Sequence, residues 1–381
     1  MKLYFDNAAA VPVRPVTMTR LAALMQDHSA NQEASGAAAE AVRGALATAE
    51  RRLLVQLCGS YADRMSVLWV NTGTEAVRAA VTAFLLTPER HGTVLFTDGE
   101  HASVPAALDM LPAGCPRNRV KLLRNGKLDI VDLSSKLDER TRLVAFHWVQ
   151  SETGAVQDLA AVRSMMQAAA PQACLMVDAI QGIGKLPFDF EAVHPDFLLV
   201  SGQKFGLPSG AALLYSEAFR PAVKKLRFER HAVGRLTPPF ALLLAETLGG
   251  RLATMDGDLA YIRDLRAGFL AELREALPDD CWRETIPAED SSPYIVHLLF
   301  SGGAQTYQGA ILTRILAKYG ASVASGSACD AETDAPSRVL TAMGFPRAEA
   351  YSALRVSFFD SNTPEEAAEL ARMIARAVRD Y

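Results

Sequence analysis

The chain has 381 residues, half of them hydrophobic and 22% charged, which is too long for one compact core and has the composition of a globular protein rather than a disordered or fibrous one. A formal net charge of −4 excludes a strong overall basic field, and no run approaches the roughly 18 apolar residues of a spanning helix, so no nucleic-acid and no membrane partner is expected. About two domains are expected from the length.

The opening MKLYFDNAAA has no apolar signal core, because Asp6 and Asn7 follow closely on the first lysine, and the cytoplasm is the expected compartment. The SVLWV run (66–70) reads as a strand and leads into a helix opening at Thr74. TVLF (93–96), VKLL (120–123), LVAFHW (143–148), CLMVD (174–178), DFLLVS (196–201) and ALLY (212–215) read as further strands. Helical patterns lie between several of them, such as 158–170 with Asp158 as N-cap. Strands this apolar are buried on both faces, as in a parallel sheet covered by helices, which predicts an α/β layered domain.

After about residue 255 the pattern changes. A helical run at 258–277 precedes a strand at 292–300, another helix, a short strand ASVAS and the strand ALRVSFF (353–359). The chain closes on TPEEAAELARMIARAVRDY, where Thr363, Pro364 and Glu366 form a capping box with the favoured first-turn proline. The expected layout is an arm, 1–14, packing with the small domain, a large domain, 15–254, and a small α+β domain, 255–381.

Ligands of open α/β sheets bind beyond the carboxyl ends of the strands, so the polar residues just after each strand carry the functional information. After the first strand, Thr72-Gly73-Thr74 opens a helix whose free N–H groups suit an anion such as phosphate, or else form a plain cap. Glu100-His101 follows the next strand. Asp178 ends CLMVD, where a buried carboxylate needs a cationic partner, either an arginine or a protonated ring nitrogen. Lys204 sits in the glycine-rich turn after DFLLVS, where a desolvated amine becomes a nucleophile able to form a Schiff base. An aspartate for a pyridinium, a lysine for a carbonyl and a helix N-terminus for a phosphate are together what pyridoxal phosphate (PLP) requires.

These residues stand in stretches that resemble the PLP enzymes of fold type I, in the class V aminotransferase branch that contains the cysteine desulfurases. The stretches are YFDNAAAVPV (4–13), TGTEA (72–76), EHASV (100–104), ETGAVQD (152–158), DAIQGIGK (178–185), SGQKFGLPSGAALLY (201–215), SGSAC (325–329), PSRVLTAMG (336–344) and LRVSF (354–358). The resemblance implies a large PLP-binding domain with a mostly parallel seven-stranded sheet and a small α+β domain. It implies that Lys204 holds PLP and moves the substrate Cα proton, that Asp178 pairs with the ring nitrogen and Gln181 with the ring oxygen, and that His101 stacks on the ring. Gly73, Thr74, Ser201 and Gln203 would bind the phosphate, and Thr237 would reach the phosphate of a partner subunit in a homodimer. Ser151 stands near the ring where an asparagine is usual, and Asn7 and Arg355 would contact a small amino-acid substrate, Arg355 through its α-carboxylate.

The cysteines, Cys58, Cys115, Cys174, Cys281 and Cys329, are scattered and lack a CxxC pair, so neither a disulfide framework nor a metal site is expected. In the resemblance Cys329 is the nucleophile that takes the sulfur of L-cysteine as a persulfide, releasing alanine, for delivery to a sulfur-acceptor protein. Gln203 replaces the histidine usual before the lysine in cysteine desulfurases and is more typical of aminotransferases of this fold. A class V aminotransferase or β-lyase acting on another small amino acid therefore stands beside the desulfurase reading.

Overall fold

The computed structural model describes residues 2–226, 234–278, 280–302, 305–326 and 335–381. Its strands are β1 (Leu3–Tyr4), β2 (Met65–Val70), β3 (Thr93–Thr97), β4 (Arg117–Val120), β5 (Thr141–His147), β6 (Cys174–Asp178), β7 (Phe197–Ser201), β8 (Ala211–Ser216), β9 (Trp282–Glu284), β10 (Ile295–Gly302), β11 (Gln305–Thr306), β12 (Ala321–Ser322) and β13 (Ala353–Ser357). The helices that matter below are α1 (Ala37–Cys58), α2 (Gly73–Leu85), α3 (Leu159–Ala169), α4 (Pro238–Ala276) and α5 (Pro364–Arg379).

Seven strands form the large sheet in the order β2-β8-β7-β6-β5-β3-β4, parallel except for β8, which runs antiparallel to both of its neighbours. Alternate residues of its central strands feed two different cores. Leu175, Val177, Leu198 and Val200 pack with α1, α3 and the first half of α4. Cys174, Met176, Phe197 and Leu199 pack on the other face with Ala76, Val77 and Ala80 of α2. Both faces are thus covered, which is why these strands read as unbroken apolar runs.

Short polar side chains start three of these helices. Thr72 Oγ1 accepts the Glu75 N–H at 3.2 Å to cap α2, and the Asp158 carboxylate accepts the Ala161 N–H at 3.0 Å to cap α3. Thr363 and Glu366 satisfy each other's backbone N–H groups at the head of α5. The helix expected to open at Thr74 therefore begins one residue earlier, at Gly73, because Thr72 supplies the cap.

Two further expectations need correction. The strand expected at 120–123 lies at 117–120, where three of the four residues are exposed; an edge strand with one neighbour takes a polar sequence, and Leu122 only bridges to Leu128. The helix expected at 258–277 is the second half of α4, which is 39 residues long and runs unbroken across 254/255. Its first half packs against the large sheet through Leu244 and Leu248, and its second half joins a separate core through Ile262, Phe269 and Leu273.

That second core is built on a smaller antiparallel sheet. β10 pairs with β13, β9 and β11, and α5 lies over the same core through Leu370 and Ile374. The N-terminal arm joins it: β1 pairs in parallel with β12, and Asp6 bridges to Ser357 at the end of β13. Residues 8 and 9 continue from there to the ends of the large-sheet strands. Among the described residues no helix is long and apolar enough to cross a membrane.

Candidate active site

The carboxyl ends of β2, β3, β5, β6 and β7 open on one cavity of about 340 Å³, which the N-terminal arm and Arg355 of β13 close from the side of the smaller sheet. Gly73, Thr74, His101, Ser151, Asp178, Gln181, Ser201, Gln203, Lys204 and Arg355 all line it. The strand-end rule thus brings together in space residues spread over most of the chain.

At one end stands the head of α2. The N–H groups of Gly73 and Thr74 belong to the first turn and have no intrahelical acceptor. A Cβ on Gly73 would lie 2.7 Å from Ile180 Cδ1, so any larger residue here would have to push the Ile180 side chain aside. With the side chains of Thr74, Ser201 and Gln203 at the same lining, this end offers donors and a helix dipole to an anionic group of phosphate size.

Asp178 ends β6 at 9% exposure, and its Oδ1 accepts the Ile180 N–H at 3.1 Å. Burial pushes its carboxyl above the usual carboxylate range; His101 pulls the other way, Glu100 adds to the rise and His147 opposes it. A carboxyl in this position gains most from a cationic partner brought in by a ligand. Beside it on β5, His147 is the register partner of Asp178 and binds Glu100 Oε1 through Nδ1 at 2.9 Å and Gln157 through Nε2 at 3.1 Å. Burial opposes a charge on His147, but Glu100, followed by Asp178, outweighs it and holds its pKa above the ordinary histidine value. Nδ1 of His101 meets the Ser103 hydroxyl at 2.8 Å and accepts the Ser103 backbone N–H at 3.2 Å, which fixes the ring at the cavity wall.

Lys204 lies in the one-turn segment Gly202–Phe205 after β7. Gly206 ends that turn at φ 78, a conformation that favours glycine, with the Pro12 carbonyl 3.1 Å from where a Cβ would stand. Lys204 Nζ donates to the Ala9 carbonyl, and the Val11 N–H donates to the Gln203 carbonyl at 2.9 Å, so the arm and the lysine turn hold each other. Gln181, one turn after Asp178, donates from Nε2 to the Ala8 carbonyl at 2.8 Å.

Arg355 is 2% exposed; its Nη2 meets Asp6 Oδ1 at 2.6 Å and its Nη1 donates to the Ser151 carbonyl at 2.9 Å. Its Nε is buried without a hydrogen-bond partner among the described residues. The guanidinium is thus held rigidly at the cavity edge, where a planar fork suits a carboxylate.

Three expected site residues are not in this lining. Asn7 is 1% exposed, and its amide donates to the Ser357 carbonyl at 2.7 Å and to Asn362 Oδ1 at 3.0 Å; it ties the arm to β13, while Ala8 and Ala9 reach the cavity. Thr237 holds the N-cap position of α4, without a side-chain cap, in a separate groove with Arg235, Leu236 and Pro238. Cys329 lies outside the described residues. Conversely, His147, Ser103 and Gly99 line the cavity without having been expected there. A histidine at the end of LVAFHW obeys the same strand-end rule that exposes Asp178 and was legible by it.

The class-V aminotransferase family model matches residues 3–228. A cysteine desulfurase of Cereibacter sphaeroides is 28% identical over 98% of this chain and 94% of its own length, and one of Sinorhizobium fredii is 27% identical over 99% and 96%. A solved structure described as a NifS-like protein superimposes with a TM-score of 0.85 at 22% identity, covering 100% of both chains.

Proposed function

Because the chain belongs to the class-V aminotransferase family, we propose that it is a PLP-dependent cysteine desulfurase that converts L-cysteine to L-alanine and takes the sulfur onto Cys329. The observation that carries this reading is the convergence on one cavity of a buried carboxylate, a lysine amine, a helix N-terminus and an arginine. When bound, PLP supplies an electron sink for the bonds at the substrate α-carbon.

The protein's own residues do the rest. The first turn of α2, with Ser201 and Gln203, would hold the phosphate, and Asp178 would hold the proton on the ring nitrogen. The burial that makes Asp178 costly as a lone carboxylate is what strengthens that pairing. Lys204 would anchor the cofactor and would move the proton at the substrate α-carbon. Arg355 orients the substrate α-carboxylate.

The sulfur leaves by attack of the Cys329 thiolate on the substrate Sγ. The Cβ–Sγ bond breaks, an S–S bond forms on Cys329, and the electron pair left at Cβ is protonated to give the methyl group of alanine. A sulfur-acceptor protein or a reducing thiol then clears the persulfide. Purified protein titrated with PLP and given L-cysteine tests the reading: a visible absorption band together with alanine formation supports it, and a colourless protein without alanine refutes it.

Gln203 and Ser151 at the cavity wall favour a second reading, transamination between a small amino acid and a 2-oxo acid. Amino-group transfer with no requirement for Cys329 would identify it. The assembly belongs to the same proposal: a cytoplasmic homodimer in which Thr237 reaches the partner's phosphate site, with an arm 1–14, a large domain 15–254 and a small domain 255–381. Light scattering at the mass of a monomer with PLP bound would refute the dimer.

A further inference from the structure

We propose that Lys185 is a positioning residue: its amine, 3.2 Å from Gln181 Oε1, sets the sense of the Gln181 amide so that an N–H of Nε2 faces the cavity. The inference rests on the PLP reading above and assigns the residue that keeps Gln181 a donor toward the ring oxygen.

Lys185 is 2% exposed, and among the described residues no carboxylate pairs with it. Its ionisable and aromatic neighbours are Lys204, Arg251, Arg355 and Tyr294, whose ring lies 5.7 Å from Nζ. An ammonium in such a place is costly, and burial, then the three cations, push its pKa well below the ordinary lysine value. Charged or neutral, the amine still carries N–H donors, and Gln181 Oε1 is its hydrogen-bond acceptor.

The amide has two ways to sit. As found, Nε2 gives one N–H to the Ala8 carbonyl at 2.8 Å and Oε1 accepts from Lys185, while the second N–H of Nε2, on a residue that lines the cavity, has no acceptor among the described residues. Turned over, the amide oxygen would meet the Ala8 carbonyl oxygen, and the NH₂ would meet the Lys185 amine, which as an ammonium has only donors and as a neutral amine has a single lone pair to accept with. Ala8 lies on the arm, whose position depends on β12 and β13, whereas Lys185 lies four residues from Gln181 in the same buried turn. Lys185 is therefore the local part of the lock. A lysine serving only as apolar packing would be replaceable by methionine with no effect on a bound chromophore.

The test is the pH midpoint of the visible absorption band of the PLP-loaded protein, with folding checked by circular dichroism. K185M and Q181A are each expected to move the midpoint by about half a pH unit or more in the same direction. The double variant should move it no further than the larger single shift, because both remove one contact. K185Q, which keeps a donor, should stay near the wild-type midpoint. A K185M midpoint equal to wild type, fully additive shifts, or a folded K185Q titrating like Q181A would each overturn the inference. A wild type that takes up no PLP would overturn the parent reading, and this inference with it.

Discussion

His147 and Asp178 are register partners at the carboxyl ends of adjacent parallel strands, and Glu100 Oε1 binds Nδ1 of the imidazole at 2.9 Å. The imidazole therefore feels two carboxyl groups, Glu100 and Asp178, and Asp178 lines the cavity. Burial opposes its charge and the two carboxylates restore it, so the folded state binds the proton more tightly than the unfolded chain does.

That arrangement gives stability a pH dependence of known sign. Above about pH 6.5 the unfolded chain has released the histidine proton while the folded chain keeps it. The contribution is complete below that pH and is lost as pH rises through the folded pKa of His147. Thermal melts of the wild type should show this loss on going up from pH 6.5, with a slope of at most about 1.4 kcal/mol per pH unit for one proton. Glu100→Gln should flatten it. A slope unchanged in the variant would place the titration elsewhere.

Asp178→Asn should keep the cofactor in place through the head of α2 and Lys204 while removing the partner of the ring nitrogen. The expected outcome is a normal or slightly weakened visible band with turnover reduced by about 100-fold or more, the scale of losing one oriented electrostatic contact in a buried site. Single-turnover kinetics monitoring the α-proton separates this from loss of cofactor. Retained turnover would remove Asp178 from the chemistry.

Arg355→Lys keeps the charge and loses the planar fork that binds Asp6 and the Ser151 carbonyl together. KM for the amino-acid substrate should rise by about tenfold or more, the equivalent of a charge-assisted hydrogen bond of roughly 1.5–3 kcal/mol, with a smaller change in kcat. The thermal midpoint should fall as well, since Asp6 would keep a poorer partner. An unchanged KM would mean that the guanidinium serves only to hold the arm.

Thr363→Ala removes the side-chain half of the capping box at the head of α5, outside the cavity lining. It should cost about 1 kcal/mol of stability by denaturant titration and leave KM and the visible band unchanged. A change in the band would show that α5 transmits its packing to the site.

Much of this site was legible because parallel strands carry a positional rule: whatever polar residue follows an apolar strand faces the ligand. Asp178, Lys204, His101 and the Gly73-Thr74 turn were found by it. The pairings that tune them were not, because a partnership over a long sequence distance leaves no local pattern. Glu100 and His147 are 47 positions apart, and Asp6 and Arg355 are 349 apart. Lys185 looks like an ordinary surface lysine until the fold buries it. Gly249 and Gly250 in the middle of α4 argue locally for a break, yet Gly250 has open space around it and Gly249 meets Gln56 Oε1, 3.1 Å from where its Cβ would stand, so tertiary packing carries the helix through. β4 was displaced for the complementary reason, that an exposed edge strand gives up the apolar signal on which the reading relied.

The central claim is that this cavity moves sulfur from L-cysteine to Cys329. PLP-loaded protein incubated with L-cysteine and a reducing thiol, with alanine and sulfide quantified together, tests it most directly. Equimolar alanine and sulfide are expected from the wild type and neither product above background from Lys204→Ala or Cys329→Ala. Absence of alanine from the wild type, or a Cys329→Ala variant as active as wild type, would contradict it.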